Sequence, residues 1–168
     1  MSIFIDNMRA CIDKQAQDVV KLLCEKNLRL CTAESCTGGL LSGTITSVKG
    51  SSSVFELGIC AYANRIKQQF LGVGVQTLEK YGAVSAQCAR EMALGVCKAS
   101  GAEVAISVTG IAGPDGGSPE KPVGTVFICC TYGNKTRTLH LQIDSINREF
   151  IRLETVRQAL ILIFNTIN

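Results

Sequence analysis

The stretch Leu28-Arg29-Leu30-Cys31-Thr32-Ala33-Glu34-Ser35-Cys36-Thr37-Gly38-Gly39 decides the fold. Residues 28–33 read as a short, mostly apolar strand. The run stops abruptly at a carboxylate, two hydroxyls, a thiol and two glycines, and residues 39–46 then read as a helix. Strand, small polar turn and helix in immediate succession is the unit from which α/β proteins are built. In open sheets of that class, ligands bind beyond the carboxyl ends of the strands. The turn is therefore where chemistry is first sought.

On the amino-terminal side, residues 8–26 carry Ile12, Ala16, Val19, Val20 and Leu23 at helical spacing, and Asn27 stops the run. On the other side, Gly50-Ser51-Ser52-Ser53 is a loop leading into a strand over 54–63. Asn64 reads as the cap of a short helix carrying Lys67, Phe70 and Leu71, which Gly72 and Gly74 end. Residues 77–80 form one further turn. Ser85 caps a long helix to Ala99 with Cys88, Met92, Val96 and Ala99 on one face. Residues 103–108 are mostly apolar, as in a strand buried on both faces. Residues 110–122 hold all three prolines. Residues 125–132 and 135–143 read as a hairpin turning at Gly133-Asn134, and the last helix covers 147–167, burying Leu153, Val156, Leu160, Ile163 and Phe164. This order predicts one domain over residues 1–168, of α/β class: a three-layer α/β/α sandwich with a mixed β-sheet.

Composition narrows the function classes. Hydrophobic residues make up 46% and charged residues 18%, a globular balance long enough to bury a core without staples. The net charge is +3 with no Lys/Arg run, so no nucleic-acid partner is expected. No stretch approaches the roughly 18 apolar residues of a membrane span, and residues 1–14 are too polar for a signal peptide. Nine cysteines without a C-x-x-C pair read as free thiols in a reducing cytosol, eight of them as small buried hydrophobes. Metal is not expected, and neither is any organic cofactor.

The turn at 34–39 has two readings. Ser35 and Thr37 cap the second helix, or the glycines and free amides at the helix start hold a phosphate or an oxyanion. It is neither a Walker A loop nor a G-x-S-x-G elbow. The single histidine, His140, lies between Leu139 and Leu141 in a hairpin strand, where a surface ring is the simpler reading than a triad member. A hydroxyl nucleophile would then need another base. Lysine serves when burial or a neighbouring cation lowers its pKa. Tyr62-Ala63-Asn64-Arg65-Ile66-Lys67 offers Lys67 just after a strand end, with Arg65 beside it; the plain alternative is a solvated helix lysine. Cys36 is a rival nucleophile, since a helix start lowers a thiol pKa.

Four stretches, TAESCTGG (32–39), GSSSVFELGICAYANRIKQQFLGV (50–73), YGAVS (81–85) and SVTGIAGPDGGSPEKPVGTV (107–126), together resemble the CinA C-terminal domain family over nearly the whole chain. The resemblance implies a three-layer sandwich and a Ser/Lys hydrolase that deamidates nicotinamide mononucleotide to nicotinate mononucleotide. It implies Ser35 as nucleophile, with Lys67 and Tyr62 as the other catalytic residues. Cys36, Thr37, Gly38, Gly39, Thr109, Gly110, Gly113 and Arg148 are the expected binding residues, with Lys121 a further phosphate candidate. The family's F-x-G-x-R is here Asp144-Ser145-Ile146-Asn147-Arg148, which keeps the arginine but not the glycine or the aromatic. The larger domain that often precedes this one in the family is not part of the sequence, so its pyrophosphatase activity is not expected. The expected partner is a small-molecule nucleotide. The apolar faces of the terminal helices suit a homo-oligomer and core packing equally. A second class of function stays open: a catalytically silent nucleotide-binding module linked to competence or DNA damage.

Overall fold

The computed structural model describes residues 2–144 and 147–168. Its elements are α1 (Ser2–Lys26), β1 (Leu30–Glu34), α2 (Leu40–Thr46), a 3₁₀ turn (Ser51–Ser53), β2 (Phe55–Cys60), α3 (Asn64–Leu71), α4 (Val75–Tyr81), α5 (Ala86–Ser100), β3 (Val104–Gly110), β4 (Thr125–Tyr132), β5 (Lys135–Gln142) and α6 (Arg148–Ile167). The strands form one sheet in the order β2-β1-β3-β4-β5. β1 runs parallel to both β2 and β3, while β3, β4 and β5 are antiparallel in succession, so the sheet is mixed.

Burial follows position in the sheet. β1 is buried throughout and β3 over its first six residues, whereas β2 and β5 are the edges and show alternating or exposed patterns. A central strand is covered on both faces and tolerates no polar side. On one face, α1 lies against α6 and its apolar stripe of Ile12, Ala16, Val19 and Leu23 meets Leu153, Val156, Leu160 and Ile163. On the other face, α5 packs Cys88, Met92 and Val96 against Cys31, Ala33 and Ala105. The expected three-layer sandwich with a mixed sheet is the observed fold.

Local differences have local causes. The turn expected at 77–80 is the centre of a seven-residue helix, α4. Asn64 is the first helical residue of α3 and not its cap; Ala63 occupies that place and offers no side-chain acceptor. Ser85 does cap α5, accepting from the Cys88 amide, and Asn147 caps α6 by accepting from Phe150. All nine cysteines are free thiols, but Cys11, Cys24 and Cys60 are exposed, so the small-hydrophobe reading fails for those three. Cys11 and Cys24 lie on the outer side of α1, and Cys60 closes an edge strand. His140 stands exposed on β5, its ring stacked 4.4 Å from that of Phe127. Two strands separate it from β1, a gap of about 14 Å at the usual strand spacing. It plays no part in the site at the β1 end. Among the described residues, no helix is long and apolar enough to cross a membrane.

Candidate active site

β1 delivers Ser35 at its carboxyl end, and the Ser35 amide donates to Val108 of the adjacent parallel strand β3 at 3.0 Å. The turn after it is held from below by Glu34. That carboxylate is fully buried and accepts from the amides of Gly39 (3.0 Å), Leu41 (3.0 Å) and Ser42 (2.8 Å) and from the Ser42 hydroxyl. Gly39 is the cap residue of α2 with φ 90, a backbone state that glycine adopts without strain. Two of the alternatives open for this turn are thereby removed. Ser35 and Thr37 do not cap α2, because Glu34 takes those amides. The start of α2 is also closed to a phosphate, since an internal carboxylate already fills it.

Lys67 enters from α3. One turn separates it from Leu71, and the two form the buried face of that helix. The lysine therefore sits where the stripe calls for an apolar side chain, and it is only 1% exposed. Its Nζ lies 2.8 Å from the Ala61 carbonyl, 3.0 Å from the Tyr62 carbonyl and 3.0 Å from Ser35 Oγ. The solvated-lysine alternative is excluded by this burial. Burial lowers the pKa of the amine below its ordinary value of 10.5. Arg65, expected to assist, is exposed and not among the causes of that shift. α3 comes this close to α5 because residue 95 is glycine: a Cβ there would lie 1.9 Å from the Leu71 carbonyl oxygen.

The three partners of Lys67 differ in kind. Two are carbonyls and can only accept; the third is a hydroxyl and can also donate. As an ammonium, Lys67 donates to all three. As a neutral amine, it donates its two protons to the carbonyls and turns its lone pair to the Ser35 hydroxyl. The geometry thus suits a base aimed at a nucleophile.

A cleft of about 200 Å³ opens beside this pair, lined by Ser35, Cys36, Tyr62, Asn64, Lys67, Thr109, Gly110 and Arg148, with Ala83, Val84 and Ala112 completing its wall. Thr109 Oγ1 donates to the Ala83 carbonyl at 2.8 Å, tying the end of β3 to the YGAVS stretch. Arg148 donates to the Gly113 carbonyl at 2.6 Å and to the Tyr62 hydroxyl at 3.3 Å, so it spans the mouth between the glycine loop and the end of β2. Of the 144–148 segment whose sequence departs from the family pattern, Ser145 and Ile146 lie outside the described residues. A hollow of similar size between α1 and α6 is lined by Val19, Leu160 and Phe164 and offers no serine, cysteine or lysine.

Several predicted residues stand behind the cleft and do not line it. Thr37 is fully buried, and Gly38 and Gly39 shape the turn. Gly113 acts through the carbonyl that holds Arg148. Lys121 is engaged elsewhere, donating to the Tyr81 carbonyl at 2.6 Å. Cys36 is 5% exposed, and burial pushes its thiol up to about 12 despite the guanidiniums of Arg152 and Arg148 nearby. A thiol held neutral in this way is a poor nucleophile. Glu34 and Arg152 were not identified from sequence. A carboxylate preceding a glycine-led helix start was the signal for the first. For the second it was a further arginine one turn beyond Arg148 on the same helix. Among the described residues, no cluster of His, Cys, Asp or Glu could hold a metal ion.

The profile of the CinA C-terminal domain matches residues 12–167. A competence-damage inducible protein of Clostridium novyi is 51% identical over 142 residues, covering 83% of this chain and 34% of that protein. A CinA-like protein of Thermotoga maritima is 52% identical over 116 residues, 69% of this chain and 28% of its own length. The chain thus spans about a third of the curated relatives it matches. Among solved structures, the competence/damage inducible protein CihA of Agrobacterium tumefaciens superposes with a TM-score of 0.92 at 42% identity, covering 94% of this chain and 96% of that one. A CinA superfamily protein of Escherichia coli gives 0.87 at 32% identity, with 91% and 90% covered.

Proposed function

The chain belongs to the CinA C-terminal domain family, and from that premise we propose that it is a Ser/Lys amidohydrolase converting nicotinamide mononucleotide to nicotinate mononucleotide and ammonia. The observation that carries the reading is the buried Lys67 amine, 3.0 Å from Ser35 Oγ with both remaining partners carbonyls. Neutral Lys67 takes the Ser35 proton as Oγ attacks the carboxamide carbon. The oxyanion forms against a main-chain amide of the turn. Ser35, Gly38 and Gly39 already donate within the protein and Thr37 is fully buried behind the cleft, which leaves the amide of Cys36, a lining residue, for this task. Protonated Lys67 then passes its proton to the amide nitrogen, the C–N bond breaks, ammonia leaves, and the nicotinoyl group remains as an ester on Ser35. Water attacks that ester while giving a proton to Lys67. The ester C–O bond breaks, and the lysine returns the proton to Ser35.

A cleft of about 200 Å³ is smaller than most ligand pockets, roughly 300–1,000 Å³. It suits the ring and its amide, with the ribose and phosphate at the exposed mouth beside Tyr62, Asn64 and Arg148. Binding energy from the phosphate is then spent at the reacting amide. Nicotinamide and its riboside are accordingly expected to turn over weakly or not at all. A cytoplasmic setting agrees with nine unpaired thiols.

The test is ammonia release from nicotinamide mononucleotide by the native chain, Ser35→Ala and Cys36→Ala. Turnover by the native and Cys36→Ala proteins with none from Ser35→Ala supports the reading. A folded native chain that binds the nucleotide but releases no ammonia defeats it in favour of the silent binding module.

A further inference from the structure

We propose that Arg152 is a positioning residue that fixes the nucleophile turn from behind and so aims the amide of Cys36 at the oxyanion; the catalytic part of this inference rests on the amidase reading above. Residues 35–38 form a tight turn closed by the Gly38 amide donating to the Ser35 carbonyl at 3.1 Å. Cys36 and Thr37 are its central residues. Among the described residues neither amide donates to another residue's main chain, so the direction in which the Cys36 amide points is set by the torsions of the turn. The hydroxyl of Thr37 does nothing to fix those torsions, for it is buried without a hydrogen-bond partner.

Arg152 supplies what is missing. Its Nη2 donates to the Thr37 carbonyl at 2.6 Å, the one side-chain hydrogen bond among described residues to the main chain of 35–38. The peptide linking Thr37 to Gly38 is then held on both edges: its oxygen by Arg152 and the Leu40 amide, its nitrogen by the Ser35 carbonyl. Pinning that plane limits rotation at Thr37. A Cβ at Gly38 would sit 3.8 Å from the same Nη2, so the guanidinium also lies against the bend itself. Arg152 is not among the residues that line the cleft. Arg148, one turn earlier, faces the cleft mouth. The two arginines of α6 therefore divide the work: one meets the ligand, the other holds the turn.

The experiment compares the native chain with Arg152→Met and Arg152→Lys. Exchange of the Gly38 amide hydrogen is followed by NMR, and kcat and KM are measured for ammonia release from nicotinamide mononucleotide. In Arg152→Met we expect faster Gly38 exchange and a kcat about 10- to 100-fold lower, the scale of small misplacements in a site. KM should change less than about twofold, since a contact serving only the transition state lowers kcat alone. Arg152→Lys, which keeps one donor, should recover part of both. Unchanged Gly38 exchange in a folded Arg152→Met protein overturns the proposal. So does a raised KM with native kcat, which would make Arg152 a substrate ligand. If the native chain releases no ammonia while Gly38 exchange still responds, the amidase reading falls and the structural role of Arg152 stands.

Discussion

Glu34→Gln is the perturbation with the most to say about how the site is built. The side chains are nearly isosteric, so packing is unchanged and only the acceptors are altered. Oε2 of Glu34 serves the amides of Gly39 and Leu41, and Oε1 serves the amide and hydroxyl of Ser42. A glutamine has one acceptor oxygen and one NH₂. Its better orientation places the oxygen toward Gly39 and Leu41 and the NH₂ toward Ser42. The Ser42 hydroxyl can turn to accept, but the Ser42 amide then faces a donor. One buried backbone donor left unsatisfied costs about 1–3 kcal/mol, and two charge-assisted bonds become neutral ones at a loss of about 1 kcal/mol each. The sum is roughly 4 kcal/mol. For a chain of this size that lowers Tm by about 8–16 °C, taking 2–4 °C per kcal/mol. Thermal unfolding followed by circular dichroism reads it directly, and ammonia release should fall as well, because the same bonds orient the turn. A Glu34→Gln protein within 0.5 kcal/mol of native stability and with native kcat would refute the idea that this carboxylate organises the site.

Ammonia release should rise with pH and level off above the lowered pKa of Lys67, with a midpoint below 10.5; Lys67→Arg, which stays protonated, should be inactive, and a pH-independent rate would contradict the lysine base. Folding stability should also rise with pH between the lowered folded value of Lys67 and its unfolded value, because there the unfolded chain binds more protons; denaturant unfolding of Lys67→Met across that window should lack the rise. Gly95→Ala drives a methyl group to within 1.9 Å of the Leu71 carbonyl oxygen, and should destabilise by about 3 kcal/mol while displacing α3 and lowering kcat; native stability in denaturant would show that the helices are free to part. Brief alkylation of the native protein should label Cys11, Cys24 and Cys60 and leave Cys36, pushed up to about 12, unmodified by mass spectrometry; inactivation that tracks Cys36 labelling would revive the thiol nucleophile.

The order of elements was legible in the sequence because each rests on a local pattern. The 3.6-residue stripe of α1, the mostly apolar run of β3 and the Gly133-Asn134 hairpin turn need no knowledge of the rest of the chain. Ser35, Lys67 and Arg148 were legible by resemblance, and the hydrogen bonds of the folded chain place the three around one cleft. Tertiary structure alone decided the rest, because it concerns contacts between residues far apart in sequence. Lys67 reads as a solvated helix lysine until α5 closes over it, made possible by a glycine 28 positions later. The caps show the same limit. Ser85 and Asn147 act on amides three residues ahead, whereas Glu34 reaches as far as Ser42 and displaces the expected serine and threonine. Arg152 lies 115 residues from the carbonyl it holds. No sequence spacing encodes that distance; only the packing of α6 on β3 and β4 and beside α2 brings the charge to the turn.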